Sequence, residues 1–186
     1  TSPDGSKLAY LADFEGNEVY TLYVKDLVSR TYLAETISNV SGSAYERIGV
    51  DWANDNKTIF YITLDETLRP HKLYRHIIST DPKEDVLVLE EDDEEYYLFC
   101  YKSRDGELIT TYHMSTNTRE VRFMDANDPT SELSILQPRI EGLDYSAAHH
   151  KDKFFIVHND NAKNFRLSVV SAASPEKENW VDVIPH

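Results

Sequence analysis

One cysteine, Cys100, is present among 186 residues, so no disulfide can close within the chain. A lone thiol fits a reducing compartment. Its place in Tyr97-Leu98-Phe99-Cys100-Tyr101 marks it as a small core residue of a strand. Basic residues are also scarce: 19 Lys and Arg against 33 Asp and Glu give a formal net charge of -14. That balance excludes a nucleic-acid surface, which needs clustered Lys and Arg, and equally excludes binding to an anionic membrane. The acidic field keeps the chain in solution and secondarily attracts cationic ligands such as basic peptides. No apolar run is long enough to span a bilayer and no signal peptide is visible. The second absence means little if the chain begins inside a longer polypeptide. Alanine is sparse and no long stretch keeps a helical period.

Signatures of chemistry are missing too. There is no Gly-x-Ser-x-Gly elbow; Ser43 follows Gly42 but lacks the second glycine. There is no Gly-x-Gly-x-x-Gly or Walker loop, and no His-Glu-x-x-His or Cys-x-x-Cys pair for a metal. The seven histidines are scattered. His149 and His150 are adjacent, so on a strand they point to opposite faces and read as turn residues rather than as a shared metal site. The run Glu90-Glu91-Asp92-Asp93-Glu94-Glu95 lacks the alternating spacing and the glycine of a calcium loop, and reads as a solvated loop between repeats. No catalytic, cofactor-binding or metal-ligating residue is expected from this chain.

What is abundant is aromatic: 12 Tyr, 7 Phe and 2 Trp, residues that suit pleated, half-buried surfaces. They recur in a pattern. Ser2-Pro3-Asp4-Gly5 is a turn that leads into the strand Lys7-Leu8-Ala9-Tyr10-Leu11. The same layout returns at Val50 to Ile62, at Tyr101 to Tyr112 and at Ala148 to Val157. Each turn holds Asp, Asn or Gly, and an apolar strand of about six residues follows. A polar loop and a second strand come next, at Val19–Val24, Lys72–Ile77, Arg119–Met124 and Asn164–Val170. An outer segment closes each unit, at Tyr32–Glu35, Asp85–Glu90, Glu132–Gln137 and Trp180–Pro185.

Successive turns lie roughly 45 to 50 residues apart, the spacing of propeller blades. The expected fold is all-β, with about four consecutive blades of a larger ring, partial and open. Its units fall near residues 1–39, 44–90, 94–138 and 141–186. The innermost strand of the first blade should precede Ser2. A β-sandwich is the alternative, but it does not require similar hairpins at fixed spacing.

Several stretches in this order resemble the N-terminal propeller of the prolyl oligopeptidase family, and within it the oligopeptidase B branch. They are Ser2-Pro3-Asp4-Gly5 with Leu8-Ala9-Tyr10, Asp13-x-x-Gly16-x-Glu18-x-Tyr20, Asp51 to Asp55, Arg69 to His76, Glu90 to Asp93, Ser115 to Arg122, and Asn161 to Leu167. The resemblance covers essentially the whole chain. It implies a seven-bladed propeller stacked on a C-terminal α/β-hydrolase domain that holds the Ser, Asp and His triad and the acidic residues selecting Lys or Arg. None of these lies in this chain, so no catalytic residue carries over. The implied role of the propeller is to cover the active site, admitting short, basic peptides and excluding folded proteins. Asp13 and Glu18, in the loop joining two strands of the first unit, are the candidate interdomain contact, with Glu18 pairing with a basic residue of the hydrolase domain. The expected location is cytoplasmic, with the periplasm as the alternative. A free-standing propeller that binds another protein, or a periplasmic propeller of a translocation assembly, is the competing function. A Gly-x-Ser-x-Gly motif further along the polypeptide separates the peptidase from both.

Overall fold

The computed structural model describes residues 1–42 and 49–184; Ser43 and Pro185, used above, lie outside them. The first unit holds β1 (Lys7–Ala12), β2 (Val19–Asp26) and β3 (Tyr32–Ser41). The second holds β4 (Val50–Trp52), β5 (Thr58–Leu64), β6 (Pro70–Ile77) and β7 (Val86–Glu90). The third holds β8 (Tyr97–Lys102), β9 (Leu108–Met114), β10 (Arg119–Asp125) and β11 (Ser134–Gln137). The fourth holds β12 (Tyr145–His150), β13 (Lys153–His158), β14 (Arg166–Ser171) and β15 (Val181–Ile184). Neighbours within each unit pair antiparallel in sequence order. Among the described residues the only helical pieces are two 3₁₀ turns, Pro82–Glu84 and Lys177–Asn179.

The turns show why these residue types repeat. Ser2 Oγ donates to Asp4 Oδ1 at 2.7 Å and accepts the Lys7 N–H at 2.9 Å. Ser103 Oγ does the same with Asp105 and Leu108, at 2.6 and 2.9 Å. In both turns the glycine N–H bonds back to the serine carbonyl at 2.9 Å. Gly5 and Gly106 sit at φ +71° and +79°, a region glycine enters without a Cβ clash. A second bond marks all four units as equivalent. Leu27, Ile78, Ala126 and Ala172 each donate at 2.8 Å to the carbonyls of Ser6, Lys57, Glu107 and Asp152. The third-to-fourth-strand corner is thereby tied to the first-to-second-strand turn.

The core lies between the units rather than inside them. Strand side chains alternate faces, and β5 is buried on both. Ile59 and Tyr61 pack with Leu22, Val24 and Val40 of the first unit, whereas Phe60 and Ile62 pack with Leu98, Cys100 and Ile109 of the third. The third seam joins Val121 and Leu136 to Tyr145, Phe154 and Ile156. A two-layer sandwich leaves one face of each sheet to solvent, so sheets covered on both faces are consecutive blades of an open propeller. Cys100 is fully buried, as its strand context predicts.

β3 departs from expectation. The outer segment does not end at Glu35 but runs to Ser41. Two register shifts against β2 let both Ile37 and Val40 reach the core. The strand then bridges to β5 at Val40–Thr63, with Asn39 Nδ2 donating to the Leu64 carbonyl at 2.8 Å, so the first two blades share one hydrogen-bonded sheet.

Candidate interdomain face

Antiparallel order puts the loops between the second and third strands of every unit on one rim, together with the connections from blade to blade. The β1–β2 loop is built around Asp13. Its carboxylate accepts the backbone N–H groups of Glu15, Gly16 and Glu18 at 3.0, 2.7 and 2.8 Å. Burial raises the Asp13 pKa, but these donors outweigh it and hold the carboxyl below its ordinary value. Gly16 and Glu18 both take positive φ, +74° and +63°, so the loop is tightly wound. It presents Phe14, 83 % exposed, at its tip. The Glu18 side chain is exposed. Asp13 is therefore the loop's internal staple, and Glu18 is the outward-facing acid.

The next feature of this rim was not foreseen. The acidic run from Glu90 to Glu95 is exposed as a solvated stretch should be, with one exception: Glu91 is buried, 4 % exposed. Its Oε2 accepts hydrogen bonds from both His113 Nδ1 and Arg139 Nη2, and its Oε1 accepts the Asp93 N–H at 3.0 Å. The Arg139 guanidinium lies 3.8 Å from the Tyr96 ring centre and also reaches Glu120 and Asp93, each at 3.8 Å. Glu120 in turn pairs with Arg122 at 2.7 Å. From the other side, Arg69 straps the same segment. It donates to the carbonyls of Glu91, Asp93 and Tyr96 at 3.2, 3.1 and 2.8 Å while its Nε bonds Asp65 at 2.9 Å. Burial pushes the Glu91 carboxyl up, but His113, Arg139 and the Asp93 N–H together bring it down to about 2. A visible signal existed in β9: Ile109, Thr111 and His113 share the buried face, and a histidine on that face needs a partner.

No nucleophile is assembled among the described residues. Ser168 comes nearest, with His158 Nε2 at 2.8 Å and Asp182 Oδ1 at 3.0 Å. The order is wrong for a triad, because the serine hydroxyl donates to the aspartate instead of the aspartate orienting the histidine. Burial lowers the His158 pKa, with Arg166 adding to it. Its Nδ1 is left without a partner. Ser168 and His158 are both buried, so this is a core hydrogen-bond chain. On the opposite rim, His149 lies on β12 rather than in a turn and meets the carboxylates of Asp105 and Glu107 of the preceding blade.

A sequence profile described as "Prolyl oligopeptidase, N-terminal beta-propeller domain" matches residues 1–186. The chain belongs to this family. Protease 2 of Moraxella lacunata is 37% identical over 164 residues, covering 88% of the chain and 23% of that protein. Dipeptidyl aminopeptidase BI of Pseudoxanthomonas mexicana is 32% identical over 187 residues, covering 100% of the chain and 25% of the relative. The solved structure of oligopeptidase B from Leishmania major superposes with a TM-score of 0.89 at 28% identity, over 99% of this chain and 25% of that one. The chain thus spans about a quarter of the length of the relatives it matches. In this prolyl oligopeptidase-family propeller, the repeat is carried by the turn hydrogen bonds and the seams. The rim acids sit on that frame.

Proposed function

We propose that residues 1–186 are blades of the propeller that covers the active site of a serine oligopeptidase, with the hydrolase domain further along the same polypeptide. The reading rests chiefly on the family match over the whole chain, supported by the 37% identity to a protein named Protease 2. The substrates are short peptides cleaved after Lys or Arg. The net charge of -14 supports this, because an acidic ring raises the local concentration of cationic peptides. Glu18 serves as an interdomain latch. The tightly wound loop holds its exposed carboxylate outward, where a basic residue of the hydrolase domain would meet it.

The test uses the full natural polypeptide carrying residues 1–186. Short peptides with Lys or Arg before the scissile bond should be cut in preference to matched neutral peptides, and a folded protein of the same composition should survive. Absence of any peptidase activity would favour the free-standing binding module. Glu18→Gln should change peptide turnover, with the effect shrinking as salt screens the ion pair. Identical kcat and KM would remove the latch and leave the rest of the reading intact.

A further inference from the structure

On the rim opposite the Asp13 loop, each seam is bridged by a contact from one blade's turn to its neighbour, and the third, made by a strand residue, differs in chemistry. The first uses the Asp4 N–H to Asn56 Oδ1 at 2.8 Å, and the second uses Asn54 Nδ2 to the Gly106 carbonyl at 3.0 Å. The third brings an imidazole against two carboxylates. His149 Nδ1 lies 2.8 Å from Asp105 Oδ2 and 3.8 Å from Glu107 Oε2. One ligand atom from each of the three residues falls within 4.8 Å of the other two. A tetrahedral zinc ion with bonds of about 2.1 Å spaces its ligand atoms about 3.4 Å apart, so the triangle needs only small rotamer changes.

Two further observations suit a cation here. Asp105 is already oriented: its Oδ1 accepts the Ser103 hydroxyl at 2.6 Å and the Glu107 N–H at 3.2 Å, leaving Oδ2 toward His149. Outer-shell bonds of this kind are what aim ligating carboxylates. The His149 side chain is 4 % exposed, held edge-on against Phe154 at 5.1 Å, with its Nδ1 turned to the acids. Beside it opens a cleft of about 490 Å³ whose walls carry Glu107, Asp125 and Glu132 against one ammonium, that of Lys151. That gives room for water ligands and leaves the wall net negative.

We propose that Asp105, Glu107 and His149 form a zinc-class divalent cation site that clamps the third blade to the fourth. An imidazole with two carboxylates suits Zn²⁺, whereas Mg²⁺ prefers oxygen ligands and its own waters. Binding to the folded state alone raises the melting temperature by linkage.

The experiment is calorimetric titration of ZnCl₂ into the full natural polypeptide after chelator treatment, with melting curves alongside. Wild type should bind one ion saturably and melt at a higher temperature with Zn²⁺ than without it. Glu107→Ala, at an exposed side chain, should weaken binding by at least about tenfold. His149→Asn should abolish the event. A wild-type affinity in both variants, no saturable heat up to about 1 mM, or equal competition by Mg²⁺ would overturn the proposal. The last result would identify an unselective acidic patch.

Discussion

Glu91 shows how one buried charge can organise a connection. The carboxylate is nearly solvent-free and holds His113 and Arg139 across the seam between the second and third blades. Its folded-state pKa, about 2, lies below the ordinary 4.5. The stabilisation is therefore full above pH 4.5 and is lost as the pH falls toward 2. The shift corresponds to roughly 3 kcal/mol of folding stability. Glu91→Gln removes the anion that His113 and Arg139 share, leaving Arg139 only its longer contacts to Glu120 and Asp93, and we expect it to lower stability at pH 7 by about 3 kcal/mol. The difference from wild type should close as the pH approaches 2. Urea unfolding at several pH values reads this directly; a gap that stays constant down to pH 2 would show that the carboxylate charge is not what matters.

At the scale of the element, the Ser-x-Asp-Gly hairpin is a closed hydrogen-bonding unit. Serine and aspartate side chains satisfy the turn's N–H groups, and glycine supplies the left-handed residue. Replacing Gly106 by Ala puts a Cβ into φ +79°. No atom blocks it closely, the nearest being Lys102 Cε at 3.9 Å, so the penalty is conformational and amounts to about 1 kcal/mol. A melting temperature equal to wild type would mean that the turn re-forms in another type. These local units were plain in the sequence, because turn chemistry and period-two alternation act over a few residues. The second strands come out close to expectation: Val19–Val24 became Val19–Asp26, and Arg119–Met124 became Arg119–Asp125. β3 did not, since its last residues are strand only because Ile37 and Val40 find a core in the neighbouring blade.

For the whole molecule, the decisive quantity is which sheet faces are covered. β5 has a blade on each side, whereas the outer face of the last sheet displays Phe155, Val157 and Val181 at 36, 43 and 63 % exposure. An isolated chain of residues 1–186 should therefore self-associate through this apolar face. Phe155→Asp with Val157→Asp should shift it toward monomer in light scattering. Monomer at all concentrations for the unaltered chain would argue against that face being sticky. By itself the amino-acid sequence determined the repeat, the hairpins, the acidic character and the family likeness, including Asp13 and Glu18 in their loop. The hairpins follow from neighbours within about ten residues, the acidic character from composition, and the repeat and the likeness from the spacing and order of those hairpins along the chain. Only the tertiary structure decided which charges are buried and with whom. Glu91 meets Arg139 and His149 meets Asp105 because adjacent blades press their rims together. Contacts across 40 or more residues depend on how sheets stack, which no local pattern encodes.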